Sequence, residues 1–126
     1  MSDRDKRLVQ LQRIASVIAD RALMPVTEAR AQTRRIEERI AEIAAHRVRL
    51  SSDTSDPAIA GTMLAQAERL RIKQAAALSE LAAALVRLDA ARKAAAQAVG
   101  RDRALSAVIE KRHKAAVQKA HRHPSG

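Results

Sequence analysis

The chain has no Phe, Tyr, Trp or Cys. Without cysteine there is no disulfide, no thiolate metal site and no thiol nucleophile, which fits a reducing, cytoplasmic setting. Without aromatics no base can be stacked, so the usual platforms for single strands and RNA are excluded. Glycine and proline number only three each in 126 residues, too few for a turn-rich fold. No apolar run approaches the roughly 18 residues of a membrane span, and the charged stretch from Met1 to Lys6 does not open a signal peptide.

What is present is helix-forming. Apolar residues make up 47% and charged residues 30%, with Ala, Leu, Arg and Glu prominent, so propensity and composition agree. The polar stretch from Ser51 to Asp56 reads as a turn, because short hydroxyl and carboxyl side chains compete with helical hydrogen bonds. Asp56-Pro57 then reads as a restart, with Asp as cap and Pro at the first helical position. The spacing predicts an all-α fold, a single long antiparallel two-helix coiled-coil hairpin. Its helices are expected at about 4–50 and 57–121, about a turn at 51–56, with a frayed tail at 122–126 and the second helix longer and overhanging.

In the first helix Leu8, Ala15, Ala22, Ala29, Ile36, Ile43 and Leu50 recur every seven residues, and Leu11, Ile18 and Pro25 form a second row that drifts to Ile40. Pro25 predicts a kink or short break at 21–24. In the second helix the row is Met63, Leu70, Ala77, Ala84, Ala91, Ala98 and Leu105, flanked by Leu78, Leu81, Leu85, Leu88, Ala95 and Ile109; Gly61 and Gly100 weaken it. A tight turn pairs Ile43 with Met63 or Leu64, Ala29 with Leu78, Ala22 with Leu85, Ile18 with Leu88, Leu11 with Ala95 and Leu8 with Val99. Gln32 would then face Gln74 and fix the alignment. That register leaves everything from Arg101 onward without an intrachain partner.

The formal net charge is +10, and from Arg101 to the end seven Lys and Arg stand against two Asp and Glu. A charge of this size implies an acidic partner. The expected overhang carries Leu105, Val108 and Ile109 beside Arg101, Arg103, Lys111 and Arg112, an apolar row flanked by cations that suits docking on another protein. Self-association and non-specific duplex binding are the alternatives. No catalytic constellation is legible: Glu37, Glu38 and Glu42 lie three and four residues from Arg34, Arg35 and Arg39, the pattern of a solvated ion-paired face. Among the histidines, His46 falls on a seam row, and the His121-x-His123 pair lacks a third ligand, so neither a metal site nor a cofactor is expected.

The stretch Gly100-Arg101, Ala104-Leu105 and Glu110-Lys111-Arg112, on a long hairpin opened by Asp56-Pro57, resembles the FliJ/YscO group of bacterial type III export proteins. That resemblance implies a non-enzymatic coiled-coil stalk or adaptor of a flagellar or injectisome export apparatus. It implies a hairpin that enters the ring of the export ATPase and touches the export gate, in a cytoplasmic protein expected to be monomeric, with a dimer as the alternative.

Overall fold

A computed structural model describes residues 2–52 and 56–122. The protein is an all-α helical hairpin: α1 spans Asp3–Ser52, a 3-10 turn spans Pro57–Ile59, and α2 spans Ala60–Arg122. Both Gly61 and Gly100 lie inside α2, which runs through them. Among the described residues no helix is long and apolar enough to cross a membrane.

Capping explains where the elements begin. At the start of α1 the Ser2 hydroxyl accepts from the Asp5 amide at 3.2 Å, and the Asp5 carboxylate accepts from the Ser2 amide at 3.3 Å. This reciprocal pair satisfies donors that the first turn leaves unmatched. At the second start Asp56 accepts from the Ala58 amide at 2.9 Å and Pro57 follows it, as the Asp-Pro pair predicts. The first helix outlasts its predicted end at Leu50. The hydroxyls of Ser51 and Ser52 donate at 2.9 Å to the carbonyls of Val48 and Arg49, joining the helix instead of competing with it. Of the predicted tail at 122–126, Arg122 is the last residue of α2, while 123–126 and residues 53–55 lie outside the described residues.

Pro25 does not interrupt α1. Its ring is exposed, and so is Arg21, whose carbonyl loses its usual amide donor; on that side of the helix water can take the donor's place.

The chain divides into two compact units. The first joins the start of α1, through Val26, to α2 from Ala91 onward. Its inward positions are Leu8, Gln12, Ala15, Ala19, Ala22 and Val26 on α1, and Ala91, Ala95, Ala98, Asp102, Leu105 and Ile109 on α2. Steps of four and three alternate along both, the spacing by which two helices keep one seam in contact. Gln12 donates to Asp102 at 2.9 Å and Arg112 to Asp5 at 2.7 Å, so within this unit the two segments run in opposite directions.

The second unit covers Thr27–Ala90. Its inward positions continue the same spacing through Ala29, Thr33, Ile36, Ile40 and Ile43, and on α2 through Leu70, Gln74, Ala77, Leu81, Ala84 and Leu88. Ile43, Leu70 and Ala77 form its core, with Ile40 and Leu50 packed against them. Arg39 pairs with Glu80 at 2.8 Å across the helices, in place of the nearby carboxylates on its own helix.

These contacts correct the predicted second row. The seam uses Gln12, Ala19 and Val26; Leu11, Ile18 and Pro25, one position earlier, are exposed. Leu78 and Leu85, predicted for the seam, are likewise half exposed, at 50% and 47%, and lie off the inward row. The register moves too. Ile43 packs on Leu70 and Ala77 instead of Met63 or Leu64, and Leu8 lies with Ile109 instead of Val99. The physical reason is at the junction of the two helices. Helix α1 runs on to Ser52 and the 3-10 turn delays α2 to Ala60, so positions on α1 meet residues further along α2 than helices ending at 50 and starting at 57 would allow.

The expected glutamine pair does not form. Gln32 is exposed, and Gln74 accepts a hydrogen bond from Arg47. The alignment is instead marked by Gln12 and Asp102, which bond each other inside the seam. Thr33 is buried, but its hydroxyl donates to the Ala29 carbonyl of its own helix at 2.9 Å, so it places no demand on the opposite helix. His46 is exposed, outside the seam.

Candidate docking surface

The seven residues from Arg101 to Arg112 that the sequence marks for partner binding split into two groups once α2 is placed. Leu105 and Ile109 are half-buried inward positions of the first unit. Ile109 shares a groove of about 320 Å³ with Asp5, Leu8, Val9, Arg112 and Ala116. The predicted absence of intrachain partners from Arg101 onward is therefore corrected: contacts from α1 reach at least Arg112, which bonds Asp5. Helix α2 is still the longer, with 63 residues against 50, and continues to Arg122.

Arg112 belongs with the inward group. Its Nε donates to the Asp5 carboxylate at 2.7 Å, with side chains 41% and 33% exposed. This bond, joined by one from the Ser2 hydroxyl at 2.8 Å, holds the Asp5 carboxyl down at about 2, against an ordinary 3.8. A cation in direct contact favours the charged form more than partial burial opposes it. Because the folded value is the lower one, the stabilisation is present above about pH 4 and is lost as pH falls through about 2. Hydrogen-exchange protection in the first turns of α1 is expected to drop between about pH 4 and pH 2, and the drop should be much smaller in an Asp5→Asn variant.

Facing outward are Arg101, Arg103, Val108 and Lys111. Arg101, Val108 and Lys111 fall on one strip with Ala104 and Ala115, again by steps of three and four, while Arg103 projects on a different side. Val108 is 46% exposed. Lys114 pairs loosely with Glu110 at 3.4 Å, with both side chains largely in solvent. The strip is thus a single valine between cations, with small residues that let another helix approach closely.

A second concavity lies in the other unit. Leu50, Pro57, Met63, Leu64 and Ala67 line an apolar groove of about 410 Å³ near the start of α2. Ser51 and Asp56 also line it, but both serve the backbone: the Ser51 hydroxyl donates to the Val48 carbonyl and the Asp56 carboxylate accepts from the Ala58 amide. Among the described residues no group of three or more His, Asp or Glu side chains is placed to hold a metal ion.

The sequence missed one surface feature. Leu11, Ile14 and Ile18 on α1 are all more than half exposed. The signal that finds them is the run of small residues at Ala15, Ala19 and Ala22: if those form the seam, the bulkier aliphatics must point elsewhere.

No known family matches this chain, and searches of the curated proteins and of the solved structures return no match.

Proposed function

We propose that this protein is a non-enzymatic stalk or adaptor of a bacterial type III export apparatus, flagellar or injectisome, that engages the ring of the export ATPase in the cytoplasm. The observation that carries the reading is the outward strip of α2, where Arg101, Val108 and Lys111 are exposed, on a chain with a net charge of +10. Cations arranged along a helix speed and orient encounter with an acidic rim, and the small residues between them permit close approach. The resemblance of Gly100-Arg101, Ala104-Leu105 and Glu110-Lys111-Arg112 to the FliJ/YscO group supplies the identity of the partner, with the export gate as a second one.

The role of individual residues differs from the overhang picture. Leu105 and Ile109 hold α2 against α1, and Arg112 is engaged by Asp5. Docking in this reading falls to Arg101, Arg103, Val108 and Lys111, acting as one presented surface and not as a reaction site.

The test is capture of a purified hexameric export ATPase, with its hydrolysis rate measured as the chain is added. The wild-type chain should be retained on the ATPase and change its rate. A triple Arg101→Glu, Arg103→Glu, Lys111→Glu variant that keeps its helicity should bind at least about tenfold more weakly. No capture and no change in rate would refute the proposal. Binding to random duplex DNA at about 150 mM salt, lost steeply by about 500 mM, would replace it with a nucleic-acid reading.

A further inference from the structure

Along the first unit, α1 carries two strips with the same alternating spacing. The inward one, Leu8, Gln12, Ala15, Ala19 and Ala22, faces α2. The other runs Arg4, Arg7, Leu11, Ile14, Ile18 and Arg21, in steps of three, four, three, four and three, and every member is exposed. Its aliphatics are larger than most of those in the seam. Leu11 is 52% exposed, Ile14 57% and Ile18 52%. Single exposed aliphatics are ordinary, but three that repeat at helix-pairing intervals form a second seam that the described residues leave exposed.

The ends of the strip specify what would cover it. Arg4 and Arg7 close one end and Arg21 the other, and among the described residues no carboxylate pairs with any of the three. A second copy of this chain is a poor fit. Paired antiparallel about Ile14, the strip sets Arg7 against Arg21; paired parallel, it sets each arginine against itself. Like charges oppose in both arrangements. A helix with apolar residues at the same spacing and carboxylates at either end satisfies the aliphatics and all three guanidiniums together.

We infer that Leu11, Ile14 and Ile18, bracketed by Arg4, Arg7 and Arg21, form a docking strip for an acidic amphipathic helix of a partner protein. The strip is on α1 and shares no residue with the outward face of α2, so it stands whether or not the chain engages an export ATPase.

A synthetic probe peptide tests the inference: about 21 residues, helical, with Leu at alternating steps of three and four and Glu flanking them at both ends. The full chain should bind this peptide in fluorescence anisotropy, more weakly as salt rises. An Ile14→Ser variant and an Arg7→Glu, Arg21→Glu variant should each lose about tenfold or more in affinity while keeping wild-type helicity, since all three positions are exposed. A peptide with Lys in place of Glu should bind at least about tenfold more weakly than the acidic one. Equal binding by wild type and Ile14→Ser, or no binding at about 1 mM peptide, would overturn the inference. A concentration-dependent dimer abolished by Ile14→Ser would also overturn it, by making a second copy the occupant. So would binding to vesicles of anionic lipid that the Ile14→Ser change removes, without binding to the peptide.

Discussion

Replacing Ile43 by Ala is expected to lower stability by about 2–4 kcal/mol and the melting temperature by on the order of 10 °C, measured by circular dichroism. Ile43 is only 9% exposed and packs with Leu70 and Ala77, while Ile40 and Leu50 lie against the same cluster. Removing its branched end leaves a void that Ala77 opposite cannot fill, since a methyl group has no longer side chain to move into it. Leu64→Ala is the informative contrast. Under a tight-turn register Leu64 would be a partner of Ile43 and equally sensitive, yet it is 74% exposed and should change stability by less than about 0.5 kcal/mol. Comparable losses for the two variants would show that the seam is misaligned.

The second large effect concerns the end where function is proposed. A Leu105→Ser, Ile109→Ser variant is expected to loosen the first unit, costing about 2–4 kcal/mol together, because both side chains are half-buried and each replacement sets a hydroxyl in an apolar seam. The first turns of α1 should lose amide protection, since Ile109 contributes to the groove it shares with Leu8 and Val9. Were α2 free of α1 from Arg101 onward, the same variant would keep its full melting temperature and lose only partner binding. Thermal unfolding therefore separates the two pictures before any partner is in hand.

The surface ion pairs make a smaller contribution. Arg39 with Glu80 and Arg71 with Glu68 hold good distances, 2.8 and 2.7 Å, but their side chains are more than half exposed, and such pairs contribute little in salt. The Gln12–Asp102 bond differs because both residues are half-buried inward positions. A slip of the seam would leave a carboxylate among alanines and leucines without its donor.

The sequence by itself determined the two helices, the cap of the second and one complete row of each seam. These depend on local facts: the propensity of Ala, Leu, Arg and Glu, the cap at Asp56-Pro57, and a repeat of seven from Leu8 to Leu50 and from Met63 to Leu105. Tertiary structure decided the second row and the register. A repeating, alanine-rich seam offers nearly equal packing at alignments one repeat apart, so apolar pattern cannot choose between them; polar contacts such as Gln12 with Asp102 and Asp5 with Arg112 can. Size misled at Leu11 and Ile18: the larger side chains were read as core, while the seam took the neighbouring Gln12 and Ala19. The cationic character of α2 was legible from composition. Which of its residues face outward was not, because facing depends on where α1 lies, and that follows from α1 running on to Ser52 and α2 starting only at Ala60.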